Sequence, residues 1–296
     1  MEVSMMAWLA LGFGAALATE PYAVVLGTAQ DAGHPQIGCT KHCCSGAWGG
    51  NGHRVSSIGL VDPDSGRHWV LDATPDFPHQ QHTLPGTLGG VLPTHAHMGH
   101  YTGLMHLGRE AMGARGVPVW AMPRMHAFLS GNGPWDQLVQ LGNIMLRELA
   151  DGVSIALSDT LRVTPIQVPH RDEYSETVGF LVQGPSRKVL YLPDIDKWER
   201  WERPIEGLVR SVDRAWLDGT FYDSDELPGR DMSQIPHPFI VESMDRFAPL
   251  PPRDRARVHF IHLNHTNPAF DPRSRARSEI ESAGFHVAEA GDRINL

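Results

Sequence analysis

A layered α/β sandwich is the architecture this sequence predicts, on three observations. Short apolar runs rich in β-branched residues recur along the chain, they cluster in groups, and stretches with helical spacing lie between the groups. A strictly alternating strand and helix pattern, which would indicate one parallel sheet, is not what the order shows. The first predicted strand, residues 22–27, places Val24, Val25 and Leu26 in a row, and 57–61 and 68–72 follow with Ile58, Leu60 and Val61 and with Trp69, Val70 and Leu71. Strands over 90–93 and 118–121 come next, accompanied by helical spacing over 102–112, 122–129 and 135–141. A second group of strands is predicted over 161–169, 178–182 and 189–193, then 214–217, 258–262 and 285–288, with helices over 205–212, 239–247 and 272–283. No internal repeat, low-complexity tract or long Pro/Gly/Ser linker divides the chain, so residues 19–296 read as one domain.

The 296 residues carry a formal charge of -9. That balance argues against a nucleic-acid partner, because duplex binders need clustered Lys and Arg to displace counterions, although an acidic whole can still carry a basic pocket. After the N-terminus no run of about 18 apolar residues occurs, so no membrane-spanning segment is expected in the body of the chain. Residues 5–18 are apolar and end in Ala16, Leu17 and Ala18, which reads as a signal peptide over 1–18 and predicts a periplasmic or secreted protein. The n-region offers Glu2 and no Lys or Arg, so an uncleaved N-terminal helix in a cytoplasmic protein is the alternative. Cys39, Cys43 and Cys44 are the only cysteines and fall within six residues. They form no disulfide framework; beside His42 they are a candidate structural zinc or second metal site, completed by His42 or a remote ligand, against the alternative of an exposed loop.

The most informative stretch runs from Gly90 to Leu104: an apolar strand, then a turn with His95, His97 and His100, then helical spacing. Side chains repeat every two residues in an extended segment, so His95 and His97 project together, and the turn brings His100 toward the same point. Three imidazoles so placed are candidate ligands for one or two divalent metal ions, since zinc takes this ligand type. A histidine on its own is more often packing or surface, and His68, His106, His259 and His286 are read that way.

Thr94-His95-Ala96-His97-Met98-Gly99-His100 resembles the T-H-x-H-x-D-H signature of the metallo-β-lactamase superfamily, with Gly99 in the place of the aspartate. The resemblance implies a four-layer αββα sandwich and further ligands in order: His170 after Val168 and Pro169, Asp194 as the residue bridging two ions, and His262 at the end of the run Val258 to Ile261. It implies a first ion on His95, His97 and His170 and a second on His100, His262 and Asp194, with Asp194 central to catalysis and His265 beside the ligands as a further catalytic residue. Gly99 leaves the second set short of a carboxylate, for which Asp31, Asp76 and Asp172 are candidates. For Asp76 the alternative is turn formation through its own hydrogen bonds.

Longer strings narrow the resemblance to pyrroloquinoline quinone synthesis protein B and its relatives. They are Val25 to Gln36 with the following cysteines, Ser56 to Gly59, Leu71 to Asp76, Leu217 to Tyr222 and His262 to Pro268. The cysteine spacing and the Gly99 turn depart from that family, which predicts a relative of the biosynthetic protein. The implied activity is metal-dependent hydrolysis of a small-molecule ester, lactone or phosphodiester. Zinc is the expected ion, while iron, which the same ligands suit, would instead allow an oxygenase. A non-catalytic binding protein linked to quinone cofactor metabolism is the alternative from another class.

Overall fold

The computed structural model describes residues 20–50 and 52–296; the stretch read as a signal peptide lies outside the described residues. In chain order the strands are β1 (Tyr22–Gly27), β2 (Ser57–Asp62), β3 (Arg67–Leu71), β4 (Thr87–Leu92), β5 (Val117–Ala121), β6 (Ile144–Glu148) and β7 (Ile155–Ala156). They continue as β8 (Arg162–Val168), β9 (Thr177–Gln183), β10 (Lys188–Leu192), β11 (Arg214–Asp218), β12 (Val258–Ile261), β13 (His286–Val287) and β14 (Arg293–Asn295). One sheet has the order β14-β1-β2-β3-β4-β5-β6 and the other β13-β12-β11-β10-β9-β8-β7. Helices cover the outer face of each, giving the αββα sandwich.

The period-two alternation of side chains sorts the apolar residues into layers. Trp69 and Leu71 of β3 join Val189 and Tyr191 of β10 and Trp216 of β11 in the core between the sheets. Their neighbours point outward: Val70 packs under Phe77, Leu104, Met125 and Leu129 on one side, and Leu190, Leu192 and Leu217 pack under Ile205, Val209, Ile240 and Phe247 on the other. Both faces of these strands are covered, which is why they read as continuous apolar runs. Among the described residues no helix is long and apolar enough to cross a membrane.

The differences from expectation have local causes. Strand β4 begins at Thr87, three residues before the predicted start, with a register irregularity against β3 at His68 and Trp69. The helix predicted over 102–112 is a helical turn, Met98–Tyr101, followed by a 3-10 stretch, Thr102–Leu107. Gly103 donates its amide to the Ala73 carbonyl at 2.8 Å, and a Cβ there would meet the Thr74 carbonyl at 2.1 Å, so the turn is drawn against the loop after β3. Helix Phe77–His82 and strands β6, β7 and β14 were not predicted.

Strands β4, β10, β11 and β12 lie in parallel stretches of the two sheets, and β1 and β8 run in the same sense as β3 and β10 two strands away. Their C-terminal ends release the residues of the site described next, in keeping with the tendency of α/β sheets to bind ligands beyond the carboxyl ends of strands.

Candidate metal centre

Four histidines and Asp194 meet where the two sheets end. His95 and His97 follow β4, His170 follows β8, Asp194 follows β10 and His262 follows β12. One ligand atom each from His95, His97, His170 and Asp194 lies within 4.8 Å of the others, and a second set joins Asp31, His100 and His262. Asp194 sits between the sets: Oδ2 is 3.3 Å from His95 Nε2 and 4.0 Å from His100 Nε2, and Oδ1 is 3.3 Å from His170 Nε2.

Three of the imidazoles are oriented through Nδ1. His100 Nδ1 is 2.8 Å from Asp72 Oδ2, His170 Nδ1 is 3.2 Å from Asp196 Oδ1, and His262 Nδ1 is 3.0 Å from the Thr220 hydroxyl. Each leaves Nε2 facing the centre, the arrangement by which outer partners set tautomer and direction for a metal ligand. Asp72 is itself held, accepting from the Thr94 amide at 2.7 Å and the Tyr191 hydroxyl at 3.0 Å, and Tyr191 reaches Ser56 at 3.1 Å. Asp72 and His262 both have left-handed backbone, φ 67° and 65°. Such a conformation is costly for a residue with a Cβ and is concentrated at functional sites.

Inward-facing atoms of this centre are buried without protein partners: Asp31 Oδ1, His100 Nε2, His170 Nε2, Asp194 Oδ1 and His262 Nε2 make no hydrogen bond. Leaving a buried polar group unpaired costs about 1–3 kcal/mol, so five in one place call for a ligand. Imidazole nitrogens and carboxylate oxygens are the donor set of zinc and of other divalent first-row ions, and the residues present fit such an ion. The electrostatics agree. Burial would raise the Asp194 carboxyl, but His170 and His237 hold it well below the usual carboxylate range. Burial, with the charge of His100, pushes His95 down, while His100 is driven up against its own burial by Asp72 and Asp31.

The structure adds a residue that sequence reasoning missed. His237 Nδ1 is 2.8 Å from Asp218 Oδ2 and 3.2 Å from Asp194 Oδ1. Burial opposes a charge on this ring, yet the Asp218 and Asp194 carboxylates lift it to about 9. His237 also lines a cavity of about 370 Å³ with Gln30, Lys41, Arg171, Arg230 and Asn264. No carboxylate lines that cavity, in a chain whose net charge is -9.

Several expected residues stand elsewhere. Asp76 belongs to neither donor set: its Oδ2 accepts from the Val55 amide at 2.9 Å, as its turn-forming alternative predicts. Asp172 is committed to the Thr177 hydroxyl at 2.8 Å. His265, expected beside the catalytic ligands, instead has a ring nitrogen within 4.8 Å of the thiols of Cys39, Cys43 and Cys44. The chain turns away after His262, with the Leu263 and Asn264 amides bonded to Thr28 and Thr220. His42 is exposed and outside this cysteine group, so the remote ligand rather than the local one completes the set. The three thiols are free, with Cys43 Sγ 3.9 Å from each of the others.

Comparison with known proteins places this geometry. The beta-lactamase superfamily domain matches residues 67–263, and the chain belongs to that family. Among relatives, it is 26% identical over 312 residues to coenzyme PQQ synthesis protein B of Methylorubrum extorquens strain PA1, covering 93% of this chain and all of that one. It is 28% identical over 311 residues to the protein of that name from Pseudomonas fluorescens strain Pf0-1, covering 92% and 99%. The zinc-bound PqqB structure from Methylobacterium extorquens superposes with a TM-score of 0.78 at 24% identity, over 93% of this chain and 100% of that one. A diphosphatase of the PhnP family gives 0.65 at 20% identity, over 93% and 97%. At these identities the superpositions show a shared fold.

Proposed function

We propose that this chain is a metal-dependent hydrolase that holds two divalent ions, zinc by preference, and acts on a small anionic phosphodiester. The observation that carries the reading is the convergence of five buried, unpartnered donor atoms around Asp194. His95, His97 and His170 would hold one ion, His100 and His262 the other, and Asp194 would be shared. Bound ions would supply Lewis-acid chemistry, polarising the oxygen of the scissile group and lowering the pKa of water.

The chain's own groups favour an anion. Lys41, Arg171 and Arg230 line the cavity beside His237, and the nearest carboxylate contact of Arg171 is Glu173 at 3.9 Å, which His97 already engages. A phosphodiester bears the charge these cations match, whereas a lactone does not. The Asp218 pair keeps a proton on His237 at the cavity edge, where a departing alkoxide can take it. Cys39, Cys43, Cys44 and His265 supply the four ligands of a separate structural zinc.

The test is turnover of an aryl phosphodiester and of a lactone by zinc-loaded protein. Phosphodiester hydrolysis that is abolished by chelation, with lactone turnover at least tenfold lower, is expected. Turnover of neither by a fully loaded protein would overturn the reading, and oxygen uptake with iron in place of zinc would replace hydrolysis by oxidation.

A further inference from the structure

Gly99 stands where the superfamily signature carries aspartate, and its backbone does not explain the glycine. It lies in the helical turn Met98–Tyr101 and is not among the positive-φ glycines. What excludes a side chain is a neighbour. A Cβ at position 99 would lie 2.5 Å from Asp31 Cα, 2.5 Å from Asp31 Oδ1 and 3.2 Å from Asp31 Cβ, so Asp31 fills the volume a side chain at 99 would need. The backbone of residue 31 is part of the obstruction, so a rotamer change cannot clear it.

Asp31 also faces the half-built donor set. Its Oδ1 is 3.5 Å from His100 Nε2 and belongs with His100 and His262 in one ligand group, and all three inward atoms are buried and unpartnered. Its position is fixed from both sides of the site. The Gln30 amide donates to Leu263, next to His262, at 2.8 Å, Ala29 bridges both Val55 and Leu263, and Gly33 closes the turn onto Gln30 at 2.7 Å. The loop after β1 is thereby stitched to the loop after β12 at the level of the second set.

We infer that Asp31 and Gly99 are the two halves of one exchange: the carboxylate of the second ion site comes from the loop after β1, and glycine at 99 makes room for it. This rests on the two-ion reading above, and it makes a claim that reading does not, that the carboxylate can be moved back. The experiment measures zinc per chain after dialysis and the zinc affinities by competition with a chromophoric chelator. It compares the unaltered protein, Asp31→Asn, Gly99→Asp, and the double variant Asp31→Gly with Gly99→Asp, with melting temperatures recorded for each.

Asp31→Asn keeps the side-chain volume and should weaken one zinc equivalent by at least tenfold while leaving the others in place. Gly99→Asp alone should lower the melting temperature and also weaken that equivalent, because two side chains compete for one volume. The double variant should regain both zinc affinity and melting temperature relative to the Gly99→Asp single variant, a gain that misfolding cannot produce. Unaltered zinc affinity in Asp31→Asn, or a double variant no better than Gly99→Asp, overturns the exchange while the two-ion hydrolase stands. A protein whose zinc content is the same in Asp194→Ala as in the unaltered chain overturns both.

Discussion

The histidine and aspartate centre and the cysteine cluster are built from metal-ligating residues by opposite means. At the centre every ligand leaves the end of a strand, and His100, His170 and His262 are each aimed by a partner on Nδ1 that has no other business at the site. At the cluster three thiols sit on a short helical turn, His42–Ser45, and the segment just before it, and only Cys44 is fully buried. One residue from outside, His265, completes it. The centre is therefore shaped by the sandwich before any ion arrives, whereas the cluster has little but its ligands to define it. Removing a metal should cost activity in the first case and local structure in the second.

The sharpest way to break that contrast is Asp194→Ala. This carboxylate touches both donor sets, so metal content at the centre should fall and kcat/KM for the phosphodiester should drop by about a thousandfold or more, corresponding to several kcal/mol of lost Lewis-acid stabilisation. The melting temperature of the apo protein should change little, since the strands rather than Asp194 shape the site. A variant that keeps both metal and turnover would show that the shared carboxylate is dispensable. A smaller effect is expected from Asp72→Asn, which leaves the ligands in place and weakens only the support of His100. Outer partners of metal-bound histidines are worth about 10–100-fold in metal affinity, and zinc titration should show a loss in that range confined to the second set. A loss shared equally by both sets would mean that Asp72 shapes the whole turn.

Replacing Cys39, Cys43 and Cys44 by Ser tests the other side. One zinc per chain should disappear, turnover should stay within about twofold, and the melting temperature should fall by several degrees, at about 2–4 °C per kcal/mol for a domain approaching this size. His265→Ala should reproduce the zinc loss. If it abolished turnover with zinc content intact, His265 would belong to the catalytic set after all.

Much of the centre was legible because its ligands follow apolar strands. His95, His97 and His100 sit in one turn, and Asp194 and His262 each close a run of buried residues whose pattern survives in sequence. Asp218 and His237 were not legible as a pair: 18 residues of irregular chain with no period separate them, and only the fold folds that loop back onto β11. His265 misled for the converse reason, since closeness to His262 in sequence hides a chain that turns away within two residues. Strand β6 escaped because it is an edge strand pairing with β5 alone, and three of its five residues are exposed, so it lacks the two-sided apolar run of its neighbours. Asp31 could be nominated from its turn, but that it occupies the volume of a side chain at 99 needed coordinates.

The smallest expected effect concerns the strut between the two regions. Glu226 accepts from the Tyr222 amide at 2.6 Å and from the Thr266 hydroxyl at 2.5 Å, next to His265 on one side and the cavity-lining Leu227 on the other. Burial raises its carboxyl from 4.5 to about 7, outweighing those hydrogen bonds. A carboxyl whose pKa is raised on folding stabilises the fold in its protonated form, so the contribution is fully present below about pH 4.5 and is lost as pH rises through about 7. Between pH 5 and 8 the melting temperature of the unaltered protein should therefore decline relative to Glu226→Gln, by an amount on the order of 1 kcal/mol once partial solvent screening is allowed for. If the strut couples the regions, His265 should follow it: zinc at the cluster should exchange faster above pH 7 in the unaltered protein and at a constant rate in Glu226→Gln. Exchange that is equally pH-dependent in both would show that the cluster and the centre are held independently, with Glu226 acting on the loop alone.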